Sequence, residues 1–243
     1  MKITRRRSNI FSHRSGKKHF VVTANRVIYC DEEDSYEEYQ GEHDQYEDVW
    51  DSIKDIDQEF TSENTSINST KLPALFNMKS VSFEPGTVNV DYGGGKFDNV
   101  AEYLTQYDVI NMVLDPFNRS KSHNREVINL IRDHGGADTA TCSNVLNVIK
   151  EPQNRFAVLE NMKRLVRPGG KIYITVYEGS GAGNEGQTKS GYQLNKKTAE
   201  YMNEILQVFP NAERKGKLIT VVNNGPGSGN VAASTMSNDL IFI

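Results

Sequence analysis

From residue 86 onward, short apolar runs alternate with segments of helical period, and this alternation constrains the fold more than any other feature. Strands separated by helices pair in parallel through crossovers, and helices then cover both faces of the sheet. Strands are expected at 87–92 (TVNVDY), 107–114 (YDVINMVL), 138–143 (DTATCS), 171–177 (KIYITVY), 218–222 and 239–243. Helices are expected at 98–105, 124–133, 152–166 and 195–209. Asp98 and Asn99 are caps for the first, Gly135-Gly136 end the second, and Pro152 suits the first turn of the third. Pro168-Gly169-Gly170 reads as a turn, and 178–194 as a long glycine-rich loop. The expected class is α/β, a doubly wound and mostly parallel sheet.

Charge divides the chain of 243 residues. Residues 1–30 carry eight Lys or Arg and no acid, whereas 31–63 carry fifteen Asp or Glu against Lys54 alone. Such blocks read as an appendage, so the expected organisation is a charged, partly disordered extension over 1–70 and a folded domain over 71–243. The basic arm (Arg5, Arg6, Arg7, Arg14, Lys17, Lys18) either contacts phosphates or is a solvated tail pairing loosely with the acidic block. Within that block Tyr46, Val49, Trp50, Ile53, Ile56 and Phe60 recur at helical spacing, which predicts an amphipathic helix over 44–60, docked on the main domain or on a partner. Residues 61–70 read as a polar linker. No apolar run approaches the roughly 20 residues a membrane span needs, and no apolar stretch follows the basic N-terminus as in a secretory leader. Two cysteines, Cys30 and Cys142, exclude a disulfide scaffold and a CxxC metal site. A cytoplasmic setting is the expectation.

Ligands of open α/β sheets sit at the carboxyl ends of the strands. One loop there is Asp91-Tyr92-Gly93-Gly94-Gly95-Lys96-Phe97-Asp98, in which Asp98 stands where a dinucleotide fingerprint has its third glycine. Asp91 would repel a pyrophosphate and suit a cation. Asp115 follows 20 residues after Gly95, an offset at which a carboxylate can accept from both ribose hydroxyls. Two acids and a glycine loop describe a nucleoside with positive charge and no phosphate, as in S-adenosylmethionine. His13, His19, His43, His123 and His134 have no metal-ligand spacing, and no metal is expected.

The segments VNVDYGGGKFDN (88–99), VLDP (113–116), DTATCSNVLNVI (138–149) and LVRPGGKIYITVYEG (165–179) occur in the order and spacing of a known family. The chain from about residue 86 resembles the class I S-adenosylmethionine-dependent methyltransferases. That resemblance implies a Rossmann-like fold and S-adenosylmethionine as cofactor, with S-adenosylhomocysteine as product. It places Asp91, Gly93 and Gly95 along the methionine moiety and Asp115 at the ribose, with Tyr92, Gly94 and Pro116 as further cofactor-binding positions. Asn144, Val145 and Leu146 would lie beside the sulfonium and the acceptor. One departure stands out: the 22 residues between Asp115 and Asp138 hold one helix and leave no room for the usual third strand. The sheet should be shortened, with Asn118 and Arg119 as nearby candidates for the adenine contact.

Methyl transfer from a sulfonium is a direct in-line displacement, so the acceptor must be positioned. DNA amino-methyltransferases usually carry an (Asp/Asn/Ser)-Pro-Pro-(Tyr/Phe) motif after the fourth strand. Here Ser143-Asn144-Val145-Leu146 lacks the prolines and the aromatic. Cys142 reads as a small buried residue, and His123 as a cap or surface residue. Asn144 and Asn147 either hold an acceptor or cap the next helix. The loop 178–194 (with Glu178, Gln187, Thr188 and Gln193) either covers the acceptor site or is a surface loop. Tyr192 is the candidate to stack on a base, with Lys189, Lys196 and Lys197 at phosphates. Residues 225–229 (GPGSG) read as a flexible connection. Three functions follow: a methyltransferase acting on a nucleic acid or a small molecule, a noncatalytic S-adenosylmethionine-binding scaffold or regulator, and a nicotinamide oxidoreductase, which Asp98 disfavours.

Overall fold

The computed structural model describes residues 11–15, 18–23, 26–30, 44–62, 71–188 and 191–225, with the backbone alone over 11–30. The basic arm contains regular structure that its charge had concealed. Strands β1 (Phe11–Ser15), β2 (Lys18–Thr23) and β3 (Arg26–Cys30) form an antiparallel meander, with Phe11 opposite Val22 and His19 opposite Cys30. Residues 1–10 and Lys17 of the basic arm, 31–43 of the acidic block, the linker from 63 to 70, Lys189 and the expected strand at 239–243 lie outside the described residues.

Helix α1 (Gln45–Ile53) starts where the Asp44 carboxylate accepts from the Tyr46 N–H at 2.9 Å. The main sheet then assembles from β4 (Thr87–Tyr92), β5 (Val109–Leu114), β6 (Ala137–Ser143), β7 (Val166–Thr175), β10 (Glu213–Lys215) and β11 (Leu218–Val222). Between them run α2 (Asn99–Thr105), α3 (Lys121–His134), α4 (Pro152–Leu165) and α5 (Thr198–Val208), and a separate hairpin joins β8 (Glu185–Thr188) to β9 (Gly191–Leu194). The sheet order is β10-β11-β7-β6-β4-β5. β4 through β7 are parallel, while β11 and β10 are antiparallel. Among the described residues β5 therefore forms an edge, and the α3 crossover returns directly to β6, as the short span between Asp115 and Asp138 required.

Alternation along β4 divides its side chains between two faces. Val88, Val90 and Tyr92 join an apolar cluster with α1, α3, α4 and α5. The opposite face packs under α2 and the helical turn Ala74–Asn77, through Leu75, Phe76, Val100, Leu104 and Tyr173. α1 belongs to the first cluster: Val49 is fully buried and Ile53 is 5% exposed. Its acids pair with the domain's own cations. Arg125 on α3 grips Glu47 through two bonds of 2.6 and 2.8 Å, Arg132 reaches Asp44 at 3.3 Å, and Lys121 meets Asp55 at 2.7 Å. The folded unit thus includes residues from 44, not 71, and this stretch of the acidic block is partnered by α3.

Two expectations change inside the sheet region. Pro168-Gly169-Gly170 is an excursion within β7, where the pairing jumps from Ala137–Val166 to Thr139–Lys171. Asn223 holds it, accepting from Gly169 N–H at 2.7 Å and donating to Gly170 O at 2.8 Å. The stretch 178–194 carries the β8–β9 hairpin, with Glu185 opposite Leu194. Among the described residues no helix is long and apolar enough to cross a membrane, and no group of His, Cys, Asp or Glu could hold a metal ion.

Candidate cofactor site

The chain connects β4 to β5 through α2 in one direction and β6 to β7 through α4 in the other. Between β4 and β6 the winding reverses, and at that switch point the carboxyl ends of the strands diverge. A cavity of about 290 Å³ opens there. Asp91, Tyr92 and the glycine run form one wall, Asp115 and Pro116 a second, and Asn144 with Val145 a third.

The glycine run is tightly seated. A Cβ on Gly93 would lie 2.5 Å from Val145 Cγ2, and one on Gly94 would lie 2.5 Å from Asp91 Oδ2. Either would force the facing side chain to move, and Gly93, at φ 73, also lies in the left-handed region that favours glycine. Arg119 clamps the same loop from behind. Its Nε donates to Gly95 O at 2.8 Å and its Nη2 to Phe97 O at 3.1 Å, with Asp98 Oδ1 at 2.7 Å. That ion pair is what Asp98 does in place of a helix-capping bond.

The two acids differ in surroundings. Both are 3% exposed. Asp115 is encircled by donors: Oδ1 accepts from Phe117 N–H at 3.0 Å and Asn118 N–H at 2.9 Å, and Oδ2 from Gly95 N–H at 2.8 Å. The Asn118 side-chain amide adds longer bonds of 3.2 and 3.3 Å to the two oxygens. Oδ2, with one strong bond and one long one, retains capacity to accept from a ligand hydroxyl. Asp91 has one strong donor, the Thr141 hydroxyl at 2.7 Å to Oδ1. Burial pushes its carboxyl up to about 7, the Thr141 bond and Arg119 pull it down, and Asp115 adds repulsion.

Asn144 has φ 61, the left-handed region that asparagine tolerates better than most residues, and its N–H donates to Thr175 O at 2.9 Å. That twist turns the chain off β6 and sets Asn144 and Val145 on the cavity wall. Leu146, the next residue, points the other way and is buried in the apolar cluster, so it packs the core and does not line the cavity. Tyr192 is also displaced from its expected role. It is 5% exposed, its ring stacks on Phe60 with centroids 5.9 Å apart, and its hydroxyl donates to Glu185. A ring packed this way cannot stack on a base. Glu178 is equally occupied, accepting from the Thr198 N–H and hydroxyl at 2.8 Å each, which hold its carboxyl down to about 2. Gln193 bonds Tyr177 O, and Lys196 lies over the Tyr201 ring at 6.0 Å. None of the described residues of 178–194 lines the cavity.

A different segment covers the mouth. After α1 the chain runs as a strap over 54–62, which contributes Ile56, Gln58 and Ser62 to the lining. Asn154 of α4 donates to Asp57 O at 2.9 Å, Glu59 N–H donates to Glu151 at 3.1 Å, and Lys150 pairs with Glu59. At its far end Asn118 donates to Ser62 Oγ at 2.9 Å. The strap therefore bridges α4 and the loop after β5. Sequence reasoning missed these residues, as it missed Asn161 of α4, which donates to the Tyr92 hydroxyl at 2.9 Å and to Ser52 Oγ at 2.7 Å. Only the apolar period of 44–60 hinted at them. Asn147 is structural: its amide oxygen accepts from Tyr177 N–H at 3.2 Å. His123 sits against Val113 O at 2.9 Å, and burial lowers its pKa.

No family model and no curated protein matches the chain. Many solved structures do, and S-adenosylmethionine-dependent methyltransferases recur among them. The 1,6-didemethyltoxoflavin-N1-methyltransferase of Burkholderia thailandensis, solved with bound 1,6-didemethyltoxoflavin and S-adenosylhomocysteine, is 13% identical; the match covers 88% of this chain and 99% of that one, with a TM-score of 0.47. An S-adenosylmethionine-dependent methyltransferase from Clostridium acetobutylicum is 12% identical over 57% of this chain and 84% of that one, TM-score 0.37. An O-methyltransferase family protein from Burkholderia thailandensis is 15% identical over 57% and 51%, TM-score 0.36. Each is a likeness of this chain and no more.

Proposed function

We propose that the chain is an S-adenosylmethionine-dependent methyltransferase. The observation that carries this reading is the pair of buried carboxylates of opposite character on either side of the glycine run. Asp91, short of donors and pushed up in pKa, gains by meeting a cation. Asp115, held by backbone N–H groups, keeps an oxygen that accepts from neutral hydroxyls. A cofactor that joins a cationic methionine end to an uncharged ribose requires one of each, whereas a pyrophosphate would be repelled by Asp91. Pro116, Phe117, Val145, Val148 and Ile149 supply apolar surface suited to the purine.

When bound, such a cofactor supplies an electrophilic methyl carbon. The residues of the chain then orient the acceptor, exclude water and hold the methionine end in place. Asn144, at the end of β6 on the cavity wall, is the polar side chain we assign to the acceptor.

A small molecule is the acceptor that the strap favours, because 54–62 bridges α4 and the loop after β5 and lends Ile56, Gln58 and Ser62 to the cavity lining, which narrows the access a polynucleotide would need. The nucleic-acid reading keeps the basic arm, Lys196 and Lys197 as its support. Labelled-methyl transfer by the full chain, run on a pooled small-molecule extract and on DNA and RNA, separates the two. Label in the small-molecule fraction is the expected result. Label on the polynucleotide reassigns the acceptor, and bound cofactor without transfer to either indicates a noncatalytic binder.

A further inference from the structure

The face of β4 opposite the apolar cluster carries a buried polar ladder. Asn89 and Asp91 lie on it, with Thr139 and Thr141 of β6 on one side and Asn111 of β5 on the other. Asn89 Nδ2 donates to Asn111 Oδ1 at 2.6 Å and to Thr141 Oγ1 at 3.1 Å, while the Thr139 hydroxyl donates to Asn89 Oδ1 at 2.7 Å. One buried amide nitrogen, Asn111 Nδ2, has no partner among the described residues. Aliphatic side chains would fill this face without that cost.

The ladder has a direction. Because Thr141 Oγ1 accepts from Asn89, its own proton is left to point at Asp91 Oδ1, 2.7 Å away. The second oxygen, Oδ2, stays on the side of the glycine run, against the position of Gly94. We propose that Thr141, itself fixed by Asn89, is the positioning residue that holds Asp91 as the receptor for the cationic end of the cofactor. Cofactor binding is then linked to loss of one proton from Asp91 to solvent. The identity of the ligand rests on the methyltransferase reading; the positioning of Asp91 does not.

Other ionisable groups surround this carboxyl. Asp115, at the end of β5, raises its pKa, and Arg119, in the loop beyond, lowers it. Cys142, beside Thr141 on β6, is buried and its thiol is pushed up, so it contributes no charge. Lys71 and Lys96 line the same cavity. None of these changes when the Thr141 hydroxyl is removed, which isolates its effect.

The test is a carbon-13 titration of the Asp91 carboxyl in the ligand-free full chain, assigned by its loss in Asp91→Asn. The wild-type midpoint should lie near 7. Thr141→Val should raise it by about one pH unit, since a bond to the charged form is lost, and Thr141→Ser should restore it. Thr141→Ala removes the same hydroxyl without adding volume and serves if the valine variant does not fold. In parallel, S-adenosylmethionine affinity should rise with pH up to the wild-type midpoint, and Thr141→Val should move that rise to higher pH. An unchanged carboxyl midpoint in the hydroxyl-free variants overturns the proposal. A shifted midpoint in a protein that binds no S-adenosylmethionine upholds the positioning role and overturns the cofactor reading.

Discussion

Asp91 and Asp115 are equally buried carboxylates whose roles follow from the number of donors each meets. Asp115 is satisfied by the backbone and ties the loop after β5 to Gly95. Asp91 is not, and this has a thermodynamic signature. Its folded pKa, about 7, lies above the ordinary 3.8, so the folded state retains a proton that the unfolded state releases. The group's contribution is therefore most favourable below pH 3.8 and is lost as pH rises to about 7, after which it is flat. A shift of this size corresponds to at most about 4 kcal/mol. Asp91→Asn, which keeps an oxygen for Thr141, should stabilise the chain at pH 8 and do little at pH 4, as read by urea denaturation at both. The glycine run and both acids are legible in the sequence because each belongs to a local loop at a strand end. The partners Asn89, Thr139 and Thr141 are not, because strand register alone brings residues 50 positions apart into contact. The place of Tyr192 is hidden for the same reason: nothing local discloses that Phe60 lies beneath it.

At the scale of elements, α1 and its strap connect the charged N-terminal region to the site. The apolar period of 44–60 exposes a helix, yet the helix ends at Ile53 and the chain continues as an irregular strap through Ile56 and Phe60. Asp55 and Asp57 are weak helix formers, and bonds from Lys121 and Asn154 hold them outside the helix. The period reveals an apolar face but not what covers it, which is α3 and α4. The β8–β9 hairpin leaves no pattern in the sequence because Gly186 and Gly191 interrupt any alternation that would mark strands. If α1 is part of the core, Ile53→Ala should cost about 2–4 kcal/mol within one cooperative denaturant transition. A helix that merely decorated the surface would lose little or melt separately.

At the scale of the molecule, the site rests on the parallel part of a mixed main sheet. Three parallel strands, β5, β4 and β6, carry both acids and the turn at Asn144, and among the described residues the sheet ends at β5. This ending was visible in the chain length between Asp115 and Asp138, a constraint independent of side-chain detail. The meander over 11–30 was not, because a high density of cations masked its strands. The cavity at the β4–β6 switch point is the proposed cofactor site. Calorimetric titration of the purified chain with S-adenosylmethionine, S-adenosylhomocysteine and NAD, repeated on Asp115→Ala, tests it most directly. Saturable binding of the first two at about micromolar levels, no binding of NAD, and loss of roughly 2 kcal/mol or more in the variant are the predicted results. Binding of NAD alone, or S-adenosylmethionine binding that Asp115→Ala leaves unchanged, would contradict it.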